Sequence, residues 1–268
     1  MCEFCVQHGE GQKWYLAMKN YSRELLEQDS RLEYIAGFAN TFESRMPAEL
    51  EKLEKLSRSP LRSMARPYLT RHQKRDHFGQ VVPMEEIEQI LRQMDGIARL
   101  PCVCRRLTTG RKEARYCFAL TAHPKLAEML DDSFSLEYLS PAEAVAAIRE
   151  LDGRGMIHTV WTFKTPYIGA ICNCDKDCIA YRICHARNYF QLMFRAEHVA
   201  RVSPDHCNGC RDCMRQCQFG AIRFSVDTGK VEIDARRCFG CGVCRAACPL
   251  DAIALSPRAE DPVAAGIW

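Results

Sequence analysis

The chain has 268 residues, a formal net charge of +3 and 47% hydrophobic residues, enough to bury a core in one or two domains. It has 26% charged residues and no run near the roughly 18 apolar residues a membrane helix needs, so membrane insertion is not expected. Seventeen cysteines follow an N-terminus, Met1-Cys2-Glu3-Phe4-Cys5, that has no basic then apolar leader; this predicts a cytoplasmic protein whose thiols are ligands rather than disulfides.

The first motif is Cys2-x2-Cys5-x2-His8, three donors that zinc or iron accepts, with a fourth to come from elsewhere or from solvent. From Trp14 to about Leu56 the apolar spacing is helical: Leu32, Ile35, Phe38 and Phe42 form one stripe and Leu50, Leu53 and Leu56 another. Pro47 is expected to start the second helix of a hairpin. Arg58, Arg62, Arg66, Arg71, Lys74 and Arg75, broken by Pro60 and Pro67, read as a solvated connector, with a docking surface for an acidic partner as the alternative. Met84, Ile87, Ile90, Leu91 and Met94 mark an amphipathic helix that leads to Pro101-Cys102-Val103-Cys104-Arg105, and Cys117 follows a basic loop. Ser140-Pro141-Ala142-Glu143 is a capping box, predicting a helix to Gly153 and then a strand over 157–163. Helix, glycine turn and strand together look like a winged-helix fragment.

Cys172-Asn173-Cys174, Cys178 and Cys184 form a second cysteine group. Adjacent alternating thiolates repel unless a metal neutralises them, so the two C-x-C pairs argue for a site. Cys102 and Cys104 are expected to meet Cys172 and Cys174 at a single metal or cluster. The upstream candidate donors are then Cys2, Cys5, His8, Cys102, Cys104, Cys117, Cys172, Cys174, Cys178 and Cys184, for an additional 4Fe-4S cluster or zinc. Residues 195–202 read as a strand running into Pro204.

The strongest signal lies between Cys207 and Cys248. Cys207-x2-Cys210-x2-Cys213-x3-Cys217 is repeated, at an offset of 31 residues, as Cys238-x2-Cys241-x2-Cys244-x3-Cys248-Pro249. The same offset carries Gly209 onto Gly240, Ala221 onto Ala252 and Ile222 onto Ile253, so a whole structural unit is duplicated. In two-cluster runs of this kind the fourth cysteine reaches across to the other cluster. Cys207, Cys210, Cys213 and Cys248 are therefore assigned to one 4Fe-4S cluster, and Cys238, Cys241, Cys244 and Cys217 to the second. A zinc site or a disulfide framework is the competing reading, and two complete duplicated runs fit it less well.

Over about a quarter of its length the chain resembles the bacterial-type two-cluster ferredoxins. The resemblance implies a β-hairpin and short-helix module with pseudo-two-fold symmetry. It departs at Cys217-Gln218, where that family has proline; proline supplies backbone rigidity and no ligand. The Pro-Cys-x-Cys-Arg and Ile-Cys-Asn-Cys elements more loosely resemble a Cys-rich domain of larger ferredoxin-type proteins of anaerobes, whose Cys-Asn-Cys-Cys is Cys174-Asp175 here. The expected class is α+β: a mainly helical, cysteine-rich domain over 1–195, a ferredoxin-like module over 196–260 and a tail over 261–268.

Such clusters do one-electron chemistry. The residues include no dinucleotide fingerprint, phosphate loop or nucleophile–base pair. The expectation is an electron-transfer subunit of an anaerobic oxidoreductase system, exchanging electrons with a partner flavoprotein or metalloenzyme. Nine Arg/Lys against six Asp/Glu between residues 198 and 258 should raise the potentials somewhat. Two cubanes, each carrying about two negative charges with its thiolates, take the holoprotein to near neutral, so nucleic acid is not expected. Two alternatives remain: an oxidoreductase whose upstream metal does chemistry, and a redox-sensing regulator, which would bind DNA with a steep salt dependence.

Overall fold

A seven-stranded sheet occupies the middle of the chain in the computed structural model, which describes residues 2–268. Its strands are β1 (Gly79–Val81), β2 (Ile97–Leu100), β3 (Cys117–Leu120), β4 (Glu137–Leu139), β5 (Ile157–Thr162), β6 (Ile168–Cys174) and β7 (Met193–Phe194). They lie in the order β4-β2-β3-β6-β5-β1-β7, antiparallel except for β1 beside β7. The helices Met84–Leu91 and Pro141–Gly153 cover one face through Ile87, Ile90, Leu91, Ala144, Ile148 and Leu151. The other face packs on Phe42 and its neighbours from the helix Arg31–Ser57.

The region is α+β: helices hold more of its residues than strands do, but a sheet that was not expected forms its centre. Sequence periodicity misses the sheet because its central strands have both faces covered: β5 is buried at every position and shows no alternation. The strand over 157–162 is as expected, but it runs inside the sheet between β6 and β1 and is no exposed wing. The capping box is also as expected, with Glu143 N donating to Ser140 Oγ (3.3 Å) and Ser140 N donating to Glu143 Oε2 (2.8 Å).

Two helical expectations need correction. Arg31–Ser57 is one helix of 27 residues that runs through Pro47. Pro47 is exposed, so the carbonyl it leaves without a donor lies on the solvent side, where water can replace the lost bond. The basic run is not a connector but the helix Arg62–Asp76, which buries no side chain.

After residue 197 the chain forms two small antiparallel sheets. β8 (His198–Val202) pairs with β11 (Ile253–Pro257), and β9 (Ile222–Ser225) pairs with β10 (Lys230–Ile233). The short helices Asp212–Gln216 and Val243–Ala246 lie between them in sequence. Val199, Ala221, Ile222, Val231 and Ile253 form the core. Residues 261–268 pack rather than trail: Ala264 is fully buried in that core, and Gln191 Nε2 donates to the Trp268 carbonyl at 2.8 Å. Side chains join the two regions directly, through Arg245–Glu85 (2.6 Å) and His198–Glu86 (2.9 Å). No helix among the described residues is long and apolar enough to cross a membrane.

Candidate metal centres

Each cysteine run begins in a turn that only glycine fits. Gly209 and Gly240 have φ of +73° and +70°, and a Cβ there would come within 2.1 Å of the carbonyls of Gly229 and His198 respectively. These tight turns bring the first three cysteines of each run round toward one point. Cys207, Cys210, Cys213 and Cys248 line a single apolar cavity together with Val202 and Val231. Cys244 is pushed up to about 12 by burial and by the charges of Cys238, Cys217 and Cys213, which places Cys217 beside the second run. Cys217 likewise acts through charge on Cys241, so it lies near all three cysteines of the second run.

Backbone amides point at the sulfurs with the same two-fold logic. Ala221 N donates to Cys217 Sγ and Ala252 N to Cys248 Sγ, both at 3.3 Å, and these two alanines are 31 residues apart. Ala200 N and Gly240 N donate to Cys238 Sγ at 3.3 and 3.4 Å. Such bonds stabilise sulfur carrying negative charge.

The environment of Cys238 tests whether an anionic cluster fits. Arg195 and Arg258 both donate to the Cys238 carbonyl, at 2.9 and 2.8 Å, and neither forms an ion pair among the described residues. Arg195 Nε and Arg258 Nη1 are buried without partners. Burial, and then the charge of Arg258, push Arg195 down to about 10. Arg258 is fully buried and Arg195 half-buried, and the carboxylates of Asp234, Glu197 and Asp261 act on them through charge without pairing, so further negative charge beside them is favourable. A cubane held by four thiolates supplies that charge, so the residues fit the group.

The quartets differ in exposure, with Cys210 exposed and Cys238 and Cys244 buried. Phe219 and Phe239, which follow Cys217-Gln218 and Cys238, stack at 4.0 Å, and His185 packs edge-on against both rings. The departure at Gln218 has a reason in the fold. Its Nε2 donates to the Gly155 carbonyl at 2.6 Å and its own carbonyl accepts from Tyr181 Oη at 2.5 Å, tying the repeat to the sheet region.

Upstream, six cysteines form a row. Cys117 and Cys172 are directly opposed on β3 and β6, with sulfurs 3.6 Å apart, and Cys104 lies 3.9 Å from Cys178. Cys102 lies near both Cys117 and Cys104, and Cys174 near Cys178. Along the row the order is Cys172, Cys117, Cys102, Cys104, Cys178, Cys174. Cys102 and Cys178 are pulled down by their neighbours, chiefly Cys104. Cys117 and Cys104 are pushed up, chiefly by Cys102, and Cys174 by Cys178. The expected meeting of the two C-x-C pairs therefore also draws in Cys117 and Cys178. Cys184 does not join the row; its sulfur accepts from Leu192 N and Met193 N at 3.1 and 3.2 Å.

At the N-terminus Cys2 and Cys5 converge, but not with His8. Their third donor is Glu197, and the three ligand atoms lie within 4.8 Å of one another, all buried. Cys5 Sγ donates to Glu197 Oε1 at 2.9 Å. His8 lies six residues beyond Cys2 at the far end of the helix Glu3–His8 and lines an open groove with Arg66, Arg71 and Lys74. Glu197 follows Ala196 with no local motif, so nothing in the sequence signals it.

Residues 206–252 match the 4Fe-4S dicluster domain family. A stretch of 61 residues is 41% identical to a component of the ion-translocating oxidoreductase complex of Methanosarcina acetivorans, covering 23% of this chain and 22% of that protein. A stretch of 54 residues is 37% identical to the indolepyruvate oxidoreductase subunit IorA of Thermococcus kodakarensis (20% and 8%). A third, of 58 residues, is 40% identical to the thiosulfate reductase electron transfer subunit PhsB of Salmonella typhi (22% and 29%). The chain spans less than a third of the length of each of these relatives.

Proposed function

We propose that this protein is an iron-sulfur electron-transfer subunit that passes single electrons through two 4Fe-4S clusters to or from a partner oxidoreductase. Cys207, Cys210, Cys213 and Cys248 hold one cluster; Cys238, Cys241, Cys244 and Cys217 hold the other. The observation that carries the reading is the cavity in which Cys248 joins the three cysteines of the opposite run. Each cluster, when bound, supplies a one-electron couple. The chain's own residues hold it, aim amides at its sulfurs and, through Arg195 and Arg258, favour the extra negative charge. Exposed Cys210 marks the side on which a flavoprotein or metalloenzyme partner docks, while the quartet holding Cys238 faces the sheet region. The dicluster module is read as residues 196–260 of a cytoplasmic chain, fused to a cysteine-rich region like that of larger ferredoxin-type proteins of anaerobes.

The test is iron and acid-labile sulfide analysis with EPR of anaerobically purified protein. Eight of each are expected, with two one-electron couples. Cys217→Ser should damage the cluster of Cys238, Cys241 and Cys244; loss of the Cys207 cluster instead would overturn the crossed assignment.

A second reading, in which an upstream metal does chemistry, is favoured by one observation: Cys2, Cys5 and Glu197 offer a metal three donors and leave a position open. Metal retained in wild type and released by Glu197→Gln would support it; identical metal content in both would remove it.

A further inference from the structure

Upstream thiols meet in pairs: Cys2 with Cys5 at 3.5 Å, Cys117 with Cys172 at 3.6 Å and Cys104 with Cys178 at 3.9 Å. The pairs differ in access. Cys2, Cys5 and Cys178 are buried, whereas Cys117 and Cys172 are both partly exposed. The sheet also holds these two face to face. Cys117 on β3 and Cys172 on β6 are direct cross-strand partners, and the adjacent Asn173 N donates to the Tyr116 carbonyl at 2.9 Å, which makes Cys117–Cys172 a non-hydrogen-bonded pair. Cα atoms in such pairs stand about 4.5 Å apart, inside the roughly 4.4–6.8 Å over which a disulfide closes. Closing it takes the sulfurs from 3.6 Å to about 2.05 Å, a side-chain rotation that leaves the strands in place. A metal fits the pair poorly. Among the described residues no histidine, cysteine or carboxylate joins Cys117 and Cys172 in a group of three donors within 4.8 Å, and zinc needs four.

We infer that Cys117 and Cys172 are a redox-active dithiol that reduces a low-molecular-weight disulfide and is regenerated by electrons from the two clusters. The regeneration rests on the electron-transfer reading above; the dithiol itself does not. In the first step a thiolate of the pair attacks one sulfur of the substrate disulfide, whose S–S bond breaks, and the other half leaves and takes up the attacking thiol's proton. The second cysteine then attacks the mixed disulfide, which forms the Cys117–Cys172 bond and releases the other half as a second thiol with the second proton. Two electrons, one from each cluster, and two protons from solvent reopen the bond. The sum is one disulfide, two electrons and two protons giving two thiols, so a pair of one-electron centres matches the acceptor. Cys172 and Cys241 of the second quartet pack against one apolar core, that of Ile179, Ile183 and Phe239, which joins the dithiol to the dicluster module through the protein interior. Partial burial of both thiols selects a small substrate over a disulfide inside another folded protein.

The experiment uses the full, cluster-loaded chain under anaerobic conditions, with glutathione as the probe. Wild-type protein equilibrated at graded ratios of reduced to oxidised glutathione is acid-quenched, alkylated and mapped by peptide mass spectrometry, with iron and sulfide counted in the same samples. A Cys117–Cys172 disulfide that forms and reopens with the ratio, at unchanged iron and sulfide, is expected, and this arm depends on no variant. One of Cys117→Ser and Cys172→Ser should trap a glutathione adduct on the remaining cysteine. In a second arm, protein with both clusters reduced and the reductant removed is mixed with oxidised glutathione. The EPR signal of the reduced clusters should vanish as two glutathione thiols form per chain, and should persist in either variant. Thiols that stay free at every ratio, a disulfide joining other cysteines, or metal held by the pair through anaerobic dialysis would each overturn the dithiol. A reversible disulfide beside a persistent EPR signal in wild type would overturn its link to the clusters. A chain without eight irons counts against the electron-transfer reading instead, while the glutathione titration still decides the dithiol.

Discussion

Arg258 is fully buried and donates to three carbonyls, those of Ala196, His198 and Cys238. A buried cation stabilises the reduced, more negative state of a neighbouring cluster, so its removal must lower the potential. Arg258→Gln is predicted to lower the potential of the Cys238 cluster by tens of millivolts in an EPR-monitored titration, and to leave the Cys207 cluster nearly unchanged. Arg258→Lys keeps the charge and should recover most of the shift; equal shifts for both variants would assign the effect to the lost hydrogen bonds. A second residue-scale consequence concerns His77, which packs among Phe38, Trp161 and Phe163. Burial lowers it from the usual 6.5 to about 4, against the opposing bond to the Thr162 carbonyl. The unfolded chain then binds the proton more readily, so this contribution is full above about pH 6.5 and is lost as pH falls toward 4. Between pH 7.5 and 5.5 it amounts to roughly 1 kcal/mol. Denaturant midpoints at these two pH values should fall in wild type and fall less in His77→Phe; equal slopes would show that His77 does not carry the effect.

Among the elements, the turn at Gln218 is the one whose sequence broke the repeat. Gln218→Pro restores the residue found in the two-cluster ferredoxins and removes the donor to Gly155, whose φ of +77° and closeness to Gln216 leave little room to adjust. The variant is expected to keep eight irons and to exchange amide hydrogen faster around residues 153–156 and 216–219. Unchanged exchange there would mean that the tie adds nothing to the packing of the two regions. The turn also shows what was legible. Gln218 was readable as an anomaly, but its reason lies 63 residues away in Gly155. The duplicated cysteines, the capping box at Ser140 and the helix Met84–Leu91 were legible because their signals are local: spacing, cap chemistry and a 3.6 period. The sheet was not, because its strands are only two to seven residues long and its longest central ones, β5 above all, are buried on both faces and carry no alternation. Nor was the meeting of Cys117 with Cys172, since it depends on the register of β3 on β6. Glu197 was invisible for the same reason, becoming a neighbour of Cys5 only when the fold brings together residues 192 apart in sequence.

For the molecule as a whole, the cavity that gathers Cys207, Cys210 and Cys213 with Cys248 sets an order of synthesis. On the proposed crossed assignment, four of the eight cluster cysteines are present when the first run has emerged from the ribosome, yet Cys217 belongs with a run still unmade. Neither quartet is complete until Cys244 and then Cys248 have been translated, within four residues of one another. A nascent chain therefore passes through a long interval in which it displays thiols but no finished site, and both sites close almost together. A protein truncated after residue 230 is predicted to hold no stable cubane despite its complete C-x2-C-x2-C-x3-C run, as measured by iron and sulfide content; one well-formed cluster in that truncation would show that each run can close on itself. Loading of these two clusters by the cell's assembly machinery is on this account late and paired, and a ribosome that stalls before Cys244 releases a chain with neither of the two sites finished.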